Sequence, residues 1–246
     1  TYGVVQIKAA GFAAATVWGP ALAGLGLLTT YALWARGRKG AAIDMTLFAD
    51  RTYALVTVAS FVFGIAFSLM FLSSFLFLLG IWGYAQGVTP GPLVVIAVAV
   101  AMASGRLVGR VGHRAMLVAG GILYAGALGW IALHVTGTAA YLILWLPMQI
   151  LGGIAVGLLL VGLSGAAVAQ LSPARFGVGM AVNNAFRQLG GVFGTAMAVV
   201  LVGLTGAGLQ AFRLAFLCLG LIGLAVTVLC LPPPRQSGRV ARQTAG

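Results

Sequence analysis

The sequence predicts an all-α polytopic membrane protein with seven transmembrane helices. Only 7% of its 246 residues are charged and 61% are hydrophobic, whereas a soluble domain carries about 25% charged residues. The charges are also confined to a few places. The longest stretches without Asp, Glu, Lys or Arg cover residues 9–35, 52–105, 115–174, 188–212 and 214–234. One crossing needs about 20 apolar residues, so the second and third stretches each hold two helices.

Uncharged turns divide these two long stretches, at Gly83–Pro92 and at Val135–Thr138. The helices are therefore predicted at residues 12–34, 54–81, 92–109, 115–134, 139–164, 177–204 and 211–231. Strands of a membrane barrel are excluded, because such strands alternate over about ten residues and these runs do not alternate. The predicted parts are an extracellular stub with the first helix, a cytoplasmic linker with an amphipathic segment, a six-helix bundle and a cytoplasmic tail, at residues 1–35, 36–53, 54–231 and 232–246.

The basic residues orient the chain, since short cytoplasmic loops collect Lys and Arg. Four regions that fall on one side hold 11 of the 14 basic residues, namely Arg36, Arg38, Lys39, Arg51, Arg106, Arg110, Arg114, Arg175, Arg235, Arg239 and Arg242. We therefore expect a multi-pass protein of the plasma membrane with its amino end outside and its carboxyl end in the cytoplasm. The net charge of +12 follows from this topology. Nucleic-acid binding is not predicted, because no soluble basic face is available.

Aromatic residues mark the predicted membrane surfaces. Trp82, Tyr84, Tyr141 and Trp145 are expected at the outer interface and Trp34 at the inner one. A second set lies along the predicted helix 54–81 and consists of Phe61, Phe63, Phe67, Met70, Phe71, Phe75 and Phe77. These side chains fit an adaptable apolar surface for bulky substrates, with lipid or helix contact as the alternative.

One predicted helix contains a polar patch within an apolar segment. Asn183 and Arg187 are four residues apart, as are Asn184 and Gln188, so a helix brings the four together. Arg187 would lie about 15 Å from the start of the helix at Gly177. A charge at that depth is costly and marks a functional site by default. Its partner could be a carboxylate elsewhere in the protein, a substrate anion or a water-filled space.

The alternative is a structural Arg187 that extends to the cytoplasmic side and bonds helix-end carbonyls. Gln149, in the predicted helix 139–164, could line the same cavity or bond a neighbouring helix. The only carboxylates are Asp44 and Asp50, both in the first cytoplasmic loop. Proton coupling needs a titrating group within the membrane, and His134 lies too near the outer end. We therefore expect the coupling group outside this chain, which begins at Thr1 and resembles a fragment.

Three segments resemble the fourteen-span branch of the major facilitator drug:proton antiporters. Gly177–Gly194 is similar to a block in the penultimate helix of that family, and residues 42–53 to the lead-in to its carboxyl-terminal half. The third segment resembles the cytoplasmic loop motif, with Gly105, Arg106, Gly109, Arg110, Gly112 and Arg114. This motif predicts a tight basic turn, either a topology anchor on lipid phosphate or a latch that contacts the other half.

The resemblance implies that the last six helices form the carboxyl-terminal half of a transporter whose amino-terminal half is missing. It implies export of drugs or lipophilic metabolites in exchange for protons. The expected partners are the amino-terminal half, a small lipophilic substrate, protons and membrane lipid. The alternatives are a seven-helix receptor-like protein and a packing partner without transport activity. No enzymatic activity, cofactor or metal ion is predicted, because the sequence has no carboxylate pair, metal-ligand spacing or phosphate-binding loop.

The orientation can be tested with single cysteines in a background that lacks Cys218 and Cys230. Cysteine at position 87 should react with an impermeant thiol reagent in intact cells. Cysteine at positions 40, 112 and 172 should react only after the cells are opened, because these positions lie in the basic loops. Labelling at 40 or 112 in intact cells would contradict the predicted orientation.

Overall fold

The computed structural model describes residues 47, 48, 50–84, 91–169, 171–204 and 208–230. The predicted helix 12–34, most of the linker and the tail lie outside the described residues. The regular structure of the described part is helical. Its long helices are α1 (Arg51–Gly80), α2 (Gly91–Val111), α3 (His113–His134), α4 (Leu146–Val168), α5 (Phe176–Leu204) and α6 (Leu209–Cys230). These helices match the last six predicted ones to within a few residues, except that α4 begins later, after a π-helical turn.

The helix ends follow from local chemistry. Asp50 caps α1, because its Oδ1 accepts hydrogen bonds from the backbone nitrogens of Thr52 at 2.7 Å and Tyr53 at 3.3 Å. A π-helical turn at Tyr141–Trp145 precedes α4. Pro147 lies in the first turn of α4. Proline is tolerated there, since its missing N–H has no helical partner at that position.

Four described segments are long and apolar enough to cross a membrane: α1, α3, α6 and the continuous segment Tyr141–Val168. The apolar part of α2, Val94–Gly105, is shorter. α5 has 29 residues, but its Asn, Arg and Gln side chains lower its mean hydropathy. That α2 and α5 also cross the membrane remains a prediction.

The bundle has two distinct ends. At the basic end, α2 and α4 finish and α3 and α5 begin, near Arg110 and Arg175. At the aromatic end, α1 and α3 finish and α4 begins. α1 packs mainly against α5, α3 lies between α4 and α6, and α2 rests on α4.

The contact between α1 and α5 depends on glycines. A Cβ atom on Gly64 would overlap the backbone carbonyl of Arg187, and one on Gly190 or Gly194 would overlap the carbonyl of Phe61 or Ile65. The two parallel backbones therefore approach to a distance that only glycine permits. Gly190 and Gly194, one turn apart on α5, therefore serve the packing of α5 against α1.

Aromatic rings fill the interior at the aromatic end. Phe77 stacks on Trp145 with ring centroids 5.4 Å apart and an interplanar angle of 11°, and it also contacts Trp82, Phe212 and Phe216. Trp145 is fully buried and Trp82 is 9% exposed. Neighbouring helices therefore cover the rings of both tryptophans, and their place near the outer membrane surface stays a prediction.

Buried tyrosines tie the helices together. The hydroxyl of Tyr124 on α3 donates to the carbonyl of Ala66 on α1 at 2.9 Å, and that of Tyr53 on α1 donates to the carbonyl of Gly179 at 2.9 Å. At the aromatic end, Arg213 Nη2 donates to the carbonyl of Val135 at 2.7 Å. These bonds join α1 to α3 and α5, and α6 to the end of α3.

Gly64→Ala should lower the free energy of unfolding by about 1–3 kcal/mol, because the added methyl group meets backbone that cannot move away cheaply. The matched control is Gly126→Ala on α3, where a Cβ would meet open space. This control should be neutral or stabilise by up to about 1 kcal/mol. Thermal unfolding of both variants in detergent measures the difference, and equal stability of the two would contradict the close α1–α5 contact.

Candidate functional site

The polar residues of α5 point in different directions. Asn183 is buried, Arg187 is partly exposed, and Asn184 and Gln188 are exposed. Their burial differs because neighbouring positions on a helix differ by about 100° and the adjacent helices cover only one side. Asn183, Asn184 and Arg187 line one cavity, whereas Gln188 does not line it; that the four form one patch stays a prediction.

The guanidinium of Arg187 extends towards the basic end. Its Nη2 donates to Oδ1 of Asn184, one turn earlier in α5, at 2.6 Å. Long helical side chains favour this direction, since Cα–Cβ bonds tilt towards the helix N-terminus. The partner is a neutral amide and not one of the helix-end carbonyls that the structural alternative requires.

Arg187 lies between two adjoining cavities. The first has a volume of about 460 Å³ and is lined by His113, Leu160, Val161, Ser164, Gly165 and Arg187. The second has a volume of about 320 Å³ and is lined by Ser164, Met180, Ala181, Asn183, Asn184 and Arg187. Ser164 on α4 and Arg187 on α5 belong to both, so the cavities meet in the groove between these helices.

Asn183 holds a buried acceptor that lacks a donor. The residue lines the second cavity and is 5% exposed, and its Oδ1 is closed off without a hydrogen-bond partner among the described residues. A buried acceptor without a donor costs about 1–3 kcal/mol. The Asn183 oxygen therefore lowers the stability of the fold.

His113 reaches the first cavity because α4 has a glycine opposite it. A Cβ on Gly165 would overlap the imidazole ring at Nε2. The preceding residue, Gly112, has φ of 78° and caps α3 without a side-chain hydrogen bond. This left-handed conformation suits glycine and lets α3 begin with only Gly112 between it and the end of α2.

The loop motif is more helical than the sequence indicates. Gly105, Arg106, Gly109 and Arg110 all lie within α2, and Arg114 lies in the first turn of α3. The predicted glycine-rich turn is thus reduced to Gly112. The Arg110 and Arg114 side chains are exposed, as a basic surface requires, while the Arg106 side chain lies outside the described residues.

Two cavity residues were missed by sequence reasoning, and two predicted residues lie elsewhere. Ser164 and His113 come from α4 and α3, and no spacing within α5 could identify them. The available signal was weak: a single hydroxyl in an apolar run and a histidine beside the loop motif. Gln149 is buried in α4, and neither it nor Gln188 lines either cavity.

No protein-family model matches the chain. The chain is similar to a protein named probable transport protein HsrA of Haemophilus influenzae, with 26% identity over 189 residues. The match covers 74% of this chain and 39% of that protein, so the chain spans well under half of its relative's length. The similarity supports a transport role, and the apolar helices agree with a multi-pass membrane protein.

Asn183→Leu should leave the unfolding temperature unchanged or raise it, because an apolar side chain of similar size replaces an unpartnered acceptor. Tyr124→Phe provides the contrast, since it removes a buried hydroxyl that does donate a hydrogen bond. It should lower the free energy of unfolding by about 0.5–1.5 kcal/mol. A larger loss for Asn183→Leu than for Tyr124→Phe would show that the protein itself satisfies the Asn183 amide.

Proposed function

We propose that this chain forms the carboxyl-terminal half of a secondary active transporter that exports drugs or lipophilic metabolites in exchange for protons. The observation that carries the proposal is the position of Arg187. Arg187, the charged residue of α5, faces two adjoining cavities, and its hydrogen bond is to a neutral asparagine.

The energetics favour a functional role for this arginine. Charged groups within a membrane protein are costly and usually pair with other groups or line a water-filled path. An arginine needed only for packing would be expected to bond several carbonyls or a carboxylate. The adjoining space of about 460 Å³ is an open groove. Its lining combines apolar side chains with a few polar groups, as small-molecule sites do.

The similarity to a transport protein favours transport over the receptor-like alternative. In this proposal the remaining half supplies the other wall of the substrate path. Movement of the two halves against each other opens that path alternately to the two sides of the membrane. The protein lies in the plasma membrane, with the amino end of this chain outside and the carboxyl end in the cytoplasm. The proton-coupling carboxylates belong to the amino-terminal half, because Asp44 and Asp50 both precede the predicted helix 54–81. A chain that only packs against a separate half would not need the cavity.

The test is efflux by the complete transporter carrying Arg187→Ala or Arg187→Lys. Alanine removes the charge and the planar fork, whereas lysine keeps the charge alone. We expect Ala to abolish proton-driven efflux at normal membrane abundance, and Lys to reduce it by about tenfold, which corresponds to about 1.4 kcal/mol. The control is Arg213→Lys, the same chemical change at an arginine that bonds the Val135 carbonyl, and it should retain efflux.

Two results would contradict the proposal. If both Arg187 variants export substrate at the normal rate, the arginine has no part in transport. If Arg187→Ala fails to accumulate in the membrane and Arg187→Lys restores both abundance and full efflux, the residue has a structural role.

A further inference from the structure

The charge of Arg187 has no counter-charge among the described residues. Its hydrogen bond is to the Asn184 amide, which cannot neutralise it. Among the residues that the structure describes, Asp50 carries the one carboxylate. Its Oδ1 accepts hydrogen bonds from the first turn of α1. The guanidinium therefore presents a positive charge and several free donors to the two cavities.

Two further helices contribute polar side chains to the first cavity. His113, the first residue of α3, lines it with its imidazole close to Gly165. Ser164 on α4 lines the same cavity and offers a hydroxyl donor. Three helices thus place polar side chains around one space.

Apart from Asn183 and Asn184 in the second cavity, the rest of the lining is apolar. Leu160 and Val161 line the first cavity, and Met180 and Ala181 line the second. A ligand that fills both spaces would combine an anionic end with an apolar body.

We propose that the two cavities bind a lipophilic organic acid. Its carboxylate accepts hydrogen bonds from Arg187 in the cavity that His113 also lines, and its apolar body contacts Leu160 and Met180. This inference rests on the proposed function only in treating the acid as the exported substrate. The binding site itself is defined by the lining residues.

Equilibrium dialysis of the purified full chain in nonionic detergent at pH 7 tests the site, with protein-free micelles as the blank. The probes are 6-hydroxy-2-naphthoate and its neutral amide, which have nearly the same shape. We expect the carboxylate to bind about tenfold or more tightly than the amide, since charge-assisted bidentate hydrogen bonds are strong. Equal affinities would overturn the proposal.

Variants assign the preference to residues. Arg187→Gln should remove the preference for the carboxylate, and His113→Gln should weaken carboxylate binding by about threefold, a smaller effect because the imidazole can donate one hydrogen bond whereas the guanidinium can donate two in parallel. Arg213→Gln should retain the full preference, because this arginine lies at the aromatic end. If Arg187→Gln does not fold, Arg187→Lys replaces it. A reduced preference of Arg187→Lys for the carboxylate over the amide supports the site. An unchanged preference in Arg187→Lys, together with unchanged carboxylate binding by His113→Gln, overturns the proposal.

A phospholipid headgroup is another source of anionic oxygen, so the dialysis is repeated with phosphatidylglycerol in the micelles. Unchanged naphthoate binding supports a site for a soluble acid. Displacement by the lipid that requires Arg187 overturns the proposal in favour of a lipid site. Because dialysis uses no gradient, its result is independent of efflux: loss of the proposed transport function leaves the carboxylate preference measurable, and loss of that preference leaves efflux measurable.

Discussion

The backbone contact between α1 and α5 determines where the charge of this helical bundle lies. Gly64 on α1 meets the backbone carbonyl of Arg187 itself, and Gly190 and Gly194 meet carbonyls of α1 in return. This contact fixes the main chain at Arg187, so the tilt of the Cα–Cβ bond sends the side chain towards the basic end. The position of the guanidinium therefore depends on glycines that carry no chemistry of their own.

The contacts at the aromatic end differ in kind from those around the cavities. Stacked and edge-on rings join α1, the π-helical turn before α4, and α6, with Phe77 contacting both Trp145 and Phe216. Between α4 and α5 a groove holds the cavities and the polar side chains. Aromatic contacts of this kind stabilise beyond the area they bury, so the ring cluster supports the helices that carry the groove.

The sequence predicted where the helices begin and end, but not which of their residues contact other helices. Charges and turn residues mark the helix ends, which is why the predicted span 177–204 and α5 agree to within one residue. Every span is apolar all round, however, so no pattern shows which side meets protein. Phe63, Met70 and Phe77 prove to be buried helix contacts, whereas Phe71 is exposed. A tryptophan near a helix end looks the same in sequence whether lipid or Phe77 covers it.

The residues of the candidate site were also only partly predictable from the sequence. Spacing within α5 brought Asn183, Asn184 and Arg187 together, but Ser164 and His113 join them only because α4 packs between α3 and α5. Arg187 is fixed to α1 through its own backbone, while His113 and Ser164 belong to the packed pair α3 and α4. Any displacement of α1 and α5 relative to α3 and α4 must therefore change the distance between the Arg187 guanidinium and the His113 imidazole. Because hydration of a buried charge is worth several kcal/mol, such a displacement is energetically coupled to whatever occupies the cavity.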